Sequence, residues 1–271
     1  MMDVDNDKEF FRYKYIPFGA DKLSLNIITK GTIKFTCPLY FNDPFDCQPF
    51  LSVENLHESN AFKRAFNCKS VGLNVIEKQI LKNKMIDTFS KQIKSGKFFG
   101  EFLESVGVLS LSRQYDNALM WSHYADYHRG FVVGFRYVKP DDLEENNLDM
   151  RHFNLNPYEV KYSKIRPTYS SSDNKFDISV LLTKDDVWEY EAEERAFTWM
   201  EKPGVHPYDR AKRLHCVIAG AKISKDDLTL LKNAVQQASK ELGRKIKFKQ
   251  ARLSEKTYDL EFVDIKYKYK K

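Results

Sequence analysis

Residues 107–135, GVLSLSRQYDNALMWSHYADYHRGFVVGF, decide the fold expected for this chain. The run begins with alternating apolar and hydroxyl residues, which is typical of a β-strand. Asp116 is a good N-cap for a helix from about residue 117 to 128, and Gly130 ends that helix. A second apolar run at residues 131–135 predicts another strand. The pattern therefore predicts a strand–helix–strand unit.

Polar and aromatic side chains are more frequent in this unit than a purely structural element needs. Ser110 and Ser112 are two residues apart, so in a strand their hydroxyl groups lie on the same face. Trp121 and Tyr124 come about one turn apart on the helix and present aromatic rings to a common side. A single histidine on such a helix is more often structural than catalytic, so we assign His123 a supporting role. We expect this unit to form much of any site that the protein has.

The length and composition predict a globular protein. A chain of 271 residues with 42% hydrophobic residues can bury a sizeable core and is not disordered as a whole. No apolar run approaches the roughly 18 residues needed to span a bilayer, and the initial MMDVDNDKEF is acidic rather than apolar. We therefore expect a cytoplasmic protein with no membrane contact. Four scattered cysteines without a C-x-x-C pair predict reduced thiols and no structural zinc site.

The positive charge is unevenly distributed. The formal net charge is +6, and basic residues cluster in ELGRKIKFKQARLSEK at 241–256 and in KYKYKK at 266–271. Such clusters suit an anionic partner, nucleic acid included. A solvated strand face followed by a frayed tail explains them about as well.

Two segments near the N-terminus carry further candidates. Residues 10–16, FFRYKYI, alternate aromatic and basic residues as a half-buried strand does, with Arg12 and Lys14 on one face. Residues 41–46, FNDPFD, contain an Asn-Asp-Pro sequence that favours a compact turn, because Asn and Asp side chains bond to the nearby backbone. This second segment is either a structural turn or a polar loop that lines a cleft.

The rest of the chain alternates predicted strands and helices. Residues 53–104 are polar, lysine-rich and periodic as helices are, which predicts two or three amphipathic helices separated at Gly72 and Gly96. Another helix is predicted over residues 176–184. We expect a single α+β domain over residues 1–271, built on one mixed sheet, with residues 53–104 as a helical insertion.

Residues 188–195, WEYEAEER, form an acidic run. If the run is a strand, Glu191, Glu193 and Arg195 share one face. Carboxylates at this spacing repel one another unless a cation pairs with them or their pKa is raised. The run is therefore either a solvated edge strand with a Glu–Arg pair, or it directs a carboxylate into a cleft.

Three of these segments together resemble a large family of uncharacterised bacterial proteins. The segments are FNDPFD at 41–46, LSLSR with MWSHYADYHRGF within 109–131, and the pattern W-x-Y-E-x-E-x-R at 188–195. The family is known as a domain of unknown function, and its genes often lie near mobile elements and phage-defence genes. The resemblance extends over nearly the whole chain, and the family name implies no activity.

The order of the same segments also resembles the ADP-ribosyltransferase fold. The resemblance implies that a basic residue of the first strand, Arg12 or Lys14, holds NAD. It also implies that a later strand supplies a hydroxyl group and that a further strand supplies a catalytic glutamate. The implied residues are Ser110 and Ser112 for the hydroxyl group, Glu191 and Glu193 for the glutamates, and Trp121 or Tyr124 for stacking on nicotinamide. Asn42 and Asp43 are additional candidates for cofactor binding, and Arg195 joins His123 in a supporting role.

Three hypotheses about function follow. The first is an NAD-dependent ADP-ribosyltransferase, a toxin or phage-defence effector that modifies RNA, DNA or protein and has an antitoxin or immunity protein as partner. In it, Glu193 stabilises the cationic transition state as nicotinamide leaves, as carboxylates do in glycoside cleavage. The second is a non-catalytic nucleic-acid-binding module, which the basic and aromatic ends of the chain favour. The third is a metal-dependent nuclease that uses Asp43, Asp46 and the two glutamates, with His123 as base.

Overall fold

The molecule is built around an eight-stranded sheet. A computed structural model describes residues 9–138, 156–170, 177–198 and 201–269. Its strands are β1 (Glu9–Ile16), β2 (Thr32–Phe35), β3 (Phe50–Ser52), β4 (Gly107–Ser112), β5 (Phe131–Val138), β6 (Tyr158–Glu159), β7 (Lys161–Tyr162), β8 (Thr168–Ser170), β9 (Thr183–Lys184), β10 (Glu193–Thr198), β11 (Gly204–Pro207), β12 (Leu214–Ala219), β13 (Lys247–Leu253) and β14 (Leu260–Asp264). Its α-helices are α1 (Asn26–Thr29), α2 (Asn60–Lys69), α3 (Val75–Lys94), α4 (Lys97–Glu104), α5 (Ala118–Tyr124), α6 (Arg210–Arg213) and α7 (Lys225–Glu241). Short 3₁₀ helices lie at Leu23–Leu25, Pro38–Tyr40, Leu56–Glu58, Ile178–Leu181 and Asp186–Glu191.

The strands of the large sheet are joined in the order β14-β13-β12-β5-β1-β4-β10-β6. Neighbours are antiparallel except β12 and β13, which are parallel and are connected through α7. A parallel pair needs such a crossover because both strands run in the same direction. Three two-stranded pairs, β2–β11, β3–β8 and β7–β9, accompany the sheet. The predicted fold class is confirmed at this level, as a large mixed sheet with several helices.

α7 covers one face of the sheet. Leu231, Val235 and Ala238 lie on one side of the helix and are fully buried. They pack in one core with apolar residues of β5 and β12. Ser224 caps the helix by accepting a hydrogen bond from the backbone N–H of Asp227 at 3.0 Å. Burial stabilises the fold by roughly 2 kcal/mol for a large apolar side chain, so this contact anchors the helix firmly.

α5 covers the other face beside β1. Its N-cap is Asn117, one residue after the predicted cap, and the Asn117 side chain accepts hydrogen bonds from two backbone N–H groups of the first turn. Trp121 is fully buried beneath the helix and donates from Nε1 to the carbonyl oxygen of Tyr115 at 2.7 Å. The indole ring meets Tyr15 of β1 edge-on. These contacts fix α5 over the strands that carry the predicted site.

α5 ends at Tyr124, earlier than predicted. Residues 126–128 all have positive φ angles, so the chain turns sharply instead of continuing as a helix. Gly130 follows in close contact with β1, where an added Cβ would lie 2.2 Å from the carbonyl oxygen of Ile16. This tight return places β5 directly beside β1.

The prediction of a helix over residues 176–184 is wrong for the part of this segment that the structure describes. A 3₁₀ helix at Ile178–Leu181 is followed by β9. β9 pairs in parallel with β7, and this long-range pairing outweighs local helix propensity. The difference has a consequence for the site, because Lys184 at the end of β9 becomes buried.

The acidic run does not form one continuous strand. Asp186–Glu191 is a 3₁₀ helix, Ala192 has a left-handed φ of 44°, and β10 begins at Glu193. The alternative of a solvated edge strand is wrong, because β10 lies between β4 and β6 and all of its residues are buried. Glu193 and Arg195 share a face as predicted, whereas Glu191 reaches the same region from the end of the 3₁₀ helix.

α2, α3 and α4 occupy the segment between β3 and β4. Gly72 and Gly96 lie between these helices with positive φ angles, at the breaks that the sequence predicts. Leu56, Phe62 and Met85 form a small core among the helices. α3 has 20 residues, but neither it nor any other helix of the described residues is long and apolar enough to cross a membrane.

Candidate active site

The central sheet divides where β1 and β4 part. Within the described residues, these strands share a single register pair, Tyr13 with Ser112. Beyond it, the ammonium group of Lys14 donates to the carbonyl oxygen of Ser110 at 2.9 Å, where a continued ladder would use a backbone N–H. The other end of β4 pairs with the residue after β2, through two backbone hydrogen bonds at Thr36. We call this opening between β1 and β4 the fork.

A cavity of about 350 Å³ lies at the fork. Aromatic rings form part of its lining: Tyr13, Tyr15, Tyr40, Phe41 and Tyr124. The lining also includes five charged residues: Lys14, Asp46, Lys184, Glu191 and Glu193. Concave sites with apolar or aromatic walls and a few convergent polar groups are typical of small-molecule binding.

Five charged side chains are buried together beside this cavity, and we call them the charge cluster: Asp46, Lys184, Glu191, Glu193 and Arg195. None is more than 6% exposed. The guanidinium group of Arg195 donates to both carboxylate oxygens of Glu193 at 2.9 Å and to Asp46 at 2.7 Å. The ammonium group of Lys184 lies 2.5 Å from Glu191 and 3.2 Å from Glu193. It is also 3.5 Å from Asp46, so the two cations bridge all three carboxylates.

The charge cluster contains more negative than positive groups. With three carboxylates and two cations, one negative charge has no partner within the cluster when all five groups are ionised. All three carboxylates line the cavity. Buried charges act over several ångströms because the surrounding protein screens them weakly. Lys14 also lines the cavity and supplies a third cation, so the fork brings three carboxylates and three cations together.

Glu193 is held in its ionised form. Burial alone would raise its pKa, but Arg195 and Lys184 outweigh burial and hold that pKa well below its ordinary value. The hydroxyl group of Ser110 also acts to lower the pKa of this carboxylate. Burial likewise acts to lower the pKa of Lys184, and the surrounding carboxylates overcome this effect and raise it. Glu193 is thus a fixed negative charge at neutral pH.

Glu191 has the opposite tendency. Burial and the neighbouring carboxylate of Glu193 raise the pKa of Glu191, against opposing effects from Lys184 and Tyr124. The phenol of Tyr124 donates to Oε1 of Glu191 at 2.5 Å, and the amide of Asn42 donates to that phenol at 3.4 Å. A carboxyl group with a raised pKa in a cleft suits proton transfer. Glu191 is therefore the candidate for a general base.

Lys14 brings positive charge to the fork. Burial lowers its pKa to about 8, although Glu193 and Glu191 act to raise it. Its ammonium group is still mostly protonated at neutral pH and has three hydrogen-bond donors, one of which Ser110 uses. The remaining donors suit an anionic group of a ligand.

Eight of the twelve residues predicted for the site line this cavity. They are Lys14, Asn42, Ser110, Ser112, His123, Tyr124, Glu191 and Glu193. β1, β4 and β10 bring several of them together because these strands are neighbours in the sheet. The other four, Arg12, Asp43, Trp121 and Arg195, do not line it. Arg195 supports the site from behind, through Glu193 and Asp46.

Arg12 does not reach the cavity. Its guanidinium group forms a bidentate pair with Glu194 at 2.5 and 2.6 Å. Glu194 follows Glu193 in β10 and therefore faces the opposite side of the sheet. Arg12 precedes the point where β1 and β4 part, so it stays on that opposite side, whereas Lys14 enters the fork. Of the two cations that the resemblance implies, the geometry favours Lys14.

Trp121 and Asp43 have structural roles instead of the predicted binding roles. Trp121 is fully buried in the core under α5, so its ring has no face available for a ligand. Oδ1 of Asp43 accepts a hydrogen bond from the backbone N–H of Phe45 at 2.9 Å, which forms an Asx turn. Asn42 and Asp46 of the same segment do line the cavity. The FNDPFD segment is thus both a turn and a wall of the cleft.

Ser112 and His123 have positions that suit support. The hydroxyl group of Ser112 donates to the backbone carbonyl oxygen of Glu191 at 2.7 Å and accepts from the N–H of Gln114 at 3.0 Å. It therefore fixes the turn that presents Glu191. The imidazole of His123 packs against the rings of Trp188 and Tyr190 at the cavity wall.

Lys184 is the main site residue that the sequence analysis missed. It occurs in LLTKDD, where no local pattern distinguishes a buried lysine from an exposed one. The pairing of β9 with β7 brings it to the carboxylates, and that pairing has no sequence signature. One indirect signal exists, because carboxylates spaced as in Glu191 and Glu193 require cations if they are buried.

The carboxylates proposed for a metal-dependent nuclease are engaged by other groups of the protein. Asp43 is engaged in its Asx turn, and Asp46 and Glu193 are engaged by Arg195 and Lys184. Within the part of the chain that the structure describes, no group of three histidine, cysteine, aspartate or glutamate side chains is placed to hold a metal ion. The geometry therefore gives this hypothesis no support.

Comparison with known proteins gives a match to one family model over part of the chain and no activity. Residues 120–196 match the family model described as "Protein of unknown function (DUF2971)". The matched segment contains Tyr124, Lys184, Glu191 and Glu193, and it confirms the resemblance to a domain-of-unknown-function family over this part of the chain. No ADP-ribosyltransferase family model matches. No curated protein and no solved structure shows a significant match.

Proposed function

We propose that this protein cleaves the bond between nicotinamide and ribose in NAD and transfers the ADP-ribose to an acceptor. The observation that carries this proposal is the buried carboxylate of Glu193, which lines the cavity at the fork and is held in its ionised form by Arg195 and Lys184. An ADP-ribosyltransferase-like arrangement belongs to the proposal, with Lys14, Ser110 and Glu193 supplied by three neighbouring strands.

The reaction creates positive charge on the ribose. The bond between the nicotinamide nitrogen and C1′ breaks, its electron pair goes to nicotinamide, and an oxocarbenium-like ribose remains. Glu193 offers this cation a carboxylate that is already ionised. Because Arg195 fixes both oxygens of that carboxylate, little reorganisation is needed as the charge develops.

The acceptor completes the reaction by adding to C1′ and losing a proton. Glu191 suits the removal of that proton, since its raised pKa makes it a stronger base than an ordinary carboxylate. Tyr124 orients Glu191 through its hydrogen bond to Oε1. Solvent then takes up the proton from Glu191. If water is the acceptor, the products are ADP-ribose and nicotinamide.

The remaining cavity residues suit the other parts of NAD. Lys14 supplies donors for the phosphates, because a protonated ammonium group forms strong hydrogen bonds to phosphate oxygens. The rings of Tyr13 and Phe41 provide faces for nicotinamide. The hydroxyl group of Ser110, which lines the cavity together with Glu193, suits a ribose hydroxyl.

The test of this proposal is the transfer of label from NAD that carries a radioactive adenylate phosphate. RNA, DNA and a protein lysate serve as separate acceptors, and released ADP-ribose is measured in parallel. We expect label on an acceptor or in free ADP-ribose with the wild-type protein, and a loss of at least about 100-fold in Glu193→Gln. The absence of both signals with every acceptor contradicts the proposal.

Glu194→Gln is a matched control in this experiment. Glu194 is the next residue of the same strand, is buried, and pairs with an arginine, but it faces away from the cavity. We expect this variant to transfer label at nearly the wild-type rate. Equal losses in the two variants would mean that the effect comes from the fold and not from the cavity.

The identity of the acceptor decides the biological part of the proposal. Transfer to RNA, DNA or a host protein supports a toxin or phage-defence effector that an antitoxin or immunity protein controls. The non-catalytic alternative predicts a different result. Under it, salt-dependent binding of nucleic acid persists in Glu191→Gln and Glu193→Gln, and NAD neither binds nor reacts.

A further inference from the structure

A second cavity, of about 510 Å³, adjoins the cavity at the fork. The two cavities share Lys14, Tyr15 and Thr36 in their linings, so Lys14 stands at their junction. The rest of the second cavity comes from the end of β1 and the segment after it, the 3₁₀ helix Leu23–Leu25, α1, β2 and β11. The two cavities therefore lie next to each other on either side of Lys14, and a long ligand that reaches both would have to pass this side chain.

The second cavity differs in character from the first. Five apolar side chains contribute to its walls: Ile16, Leu23, Ile27, Ile33 and Val205. Its polar residues include Asp21, Ser24 and Asn26. The side-chain amide of Asn26 is half-buried and forms no hydrogen bond to another described residue. An apolar cavity with one available amide suits a flat heteroaromatic ring with polar edges.

The first cavity alone is small for a dinucleotide. Its volume of about 350 Å³ is near the lower limit of small-molecule pockets, which range from about 300 to 1,000 Å³. The charge cluster accounts for the nicotinamide and its ribose, and Lys14 for a phosphate. The adenosine part of NAD then needs a further space beyond Lys14, and the second cavity provides it.

We infer that the second cavity binds the adenosine part of a dinucleotide, with Lys14 at the bridging phosphates. This inference rests on the proposed function. An asparagine amide can donate to and accept from the edge of adenine at once, as it does when it reads adenine in DNA. The apolar walls cover the faces of the base, and the carboxylate of Asp21 suits the hydroxyl groups of its ribose.

Two substitutions of Asn26 separate the role of the space from the role of the amide. Asn26→Trp places a large ring in the cavity, and Asn26→Ala removes the amide without filling the space. Asn83→Trp on α3 is the matched control, since Asn83 is exposed and lines neither cavity. The probe is ADP, whose binding is measured by isothermal titration calorimetry. Circular dichroism melts of all variants establish that each is folded.

We expect Asn26→Trp to weaken ADP binding by at least about tenfold, Asn26→Ala to weaken it less, and Asn83→Trp to leave it unchanged. A second measurement compares nicotinamide release from NAD and from nicotinamide mononucleotide, which lacks the adenosine part. Asn26→Trp should reduce kcat/KM for NAD and not for the mononucleotide.

The outcomes separate this inference from the proposed function. If ADP binds in a manner that depends on Asn26 but NAD is not cleaved, the inference stands and the proposed function fails. If NAD is cleaved while folded Asn26→Trp binds ADP and processes NAD as the wild type does, the inference is wrong and the proposed function stands. Failure of the wild-type protein to bind ADP also overturns the inference.

Discussion

Arg195 holds the candidate site together although it does not line the cavity. It is fully buried and joins Glu193 of its own strand to Asp46 of the FNDPFD turn. It also donates to the backbone carbonyl oxygen of Leu181 at 2.7 Å, which ties the segment before β9 to the same point. One side chain therefore fixes three distant parts of the chain around the carboxylates.

Loss of Arg195 should destabilise the protein severely. Arg195→Met leaves Glu193 and Asp46 buried without their main partner, which costs about 3–5 kcal/mol in comparable buried pairs. Arg113→Met is the control, since Arg113 forms a largely exposed pair with Glu159 that is worth at most about 1 kcal/mol. Urea unfolding followed by circular dichroism measures both. A loss of equal size in the two variants would show that the charge cluster is not the anchor described above.

Glu193 should contribute stability that depends on pH. Its pKa is lowered in the folded protein, so its ionised form is stabilised above the pKa of the unfolded state, about 4.3, and this contribution is lost as the pH falls below that value. Glu193→Gln cannot titrate. We therefore expect the difference in unfolding free energy between wild type and variant to be largest near pH 7 and to shrink below about pH 4.3. A difference that stays constant down to pH 3 would contradict the assigned ionisation.

Lys14 should make ligand binding sensitive to alkaline pH. With a pKa of about 8, its ammonium group loses its proton above that pH, and its attraction to phosphate is lost with it. We expect KM for NAD to rise as the pH is raised through about 8. Lys14→Arg should flatten this profile, because arginine stays protonated throughout the accessible range. Initial rates of nicotinamide release between pH 6 and about 10 test this, and identical profiles for both proteins would exclude the role of Lys14.

At the residue scale, the sequence pointed correctly to positions whose spacing is local. Ser110 and Glu193 could be placed by strand alternation, and both reach the cavity. Arg12 and Lys14 could not be separated, because their different fates depend on where β1 leaves β4. Lys184 could not be found at all, since its burial depends on pairing between β7 and β9.

At the scale of elements, the return from α5 into β5 controls how β1 is held. Gly130 and Gly220 both lie where the backbone passes very close to another segment. At Gly220 an added Cβ would lie 2.1 Å from the carbonyl oxygen of His128. No side chain fits there without displacing the chain that leads from α5 into β5, the neighbour of β1.

Gly220→Ala should therefore destabilise the protein. The displaced atom is a backbone oxygen, which cannot move away as a flexible side chain can. We therefore expect the free energy of unfolding to fall by about 1–3 kcal/mol. Gly100→Ala is the control. Gly100 lies within α4 with open space around its Cβ position, and alanine there should stabilise the helix by up to about 1 kcal/mol. Thermal melts measure the Tm of both variants. An equal decrease in Tm for the two would contradict this packing.

Periodicity predicted the elements far better than their ends. The helices between β3 and β4 have long amphipathic patterns, and the structure contains them. The end of α5 and the helix expected near residue 180 were misjudged, because three residues with positive φ angles and a long-range strand pair decide those boundaries. Neither feature has a local signal as strong as helical periodicity.

At the scale of the whole molecule, the mixed sheet is what makes a site possible. Antiparallel pairing would close β1 onto β4 along its whole length, but β4 exchanges β1 for the end of β2 within a few residues. The opening that results is lined by charged side chains and shares Lys14 with the second cavity. The sequence indicated that strands and helices alternate, yet strand order is set by contacts between remote segments, so the fork itself was not predictable.

The central claim is that the carboxylate of Glu193 at the fork serves the cleavage of NAD. It is tested most directly by the release of nicotinamide from NAD, quantified by liquid chromatography, for wild type, Glu193→Gln and Glu194→Gln. We expect release by the wild type, nearly equal release by Glu194→Gln, and at least about a 100-fold lower rate for folded Glu193→Gln. Wild-type protein that releases no nicotinamide, or a Glu193→Gln variant as active as the wild type, would contradict it.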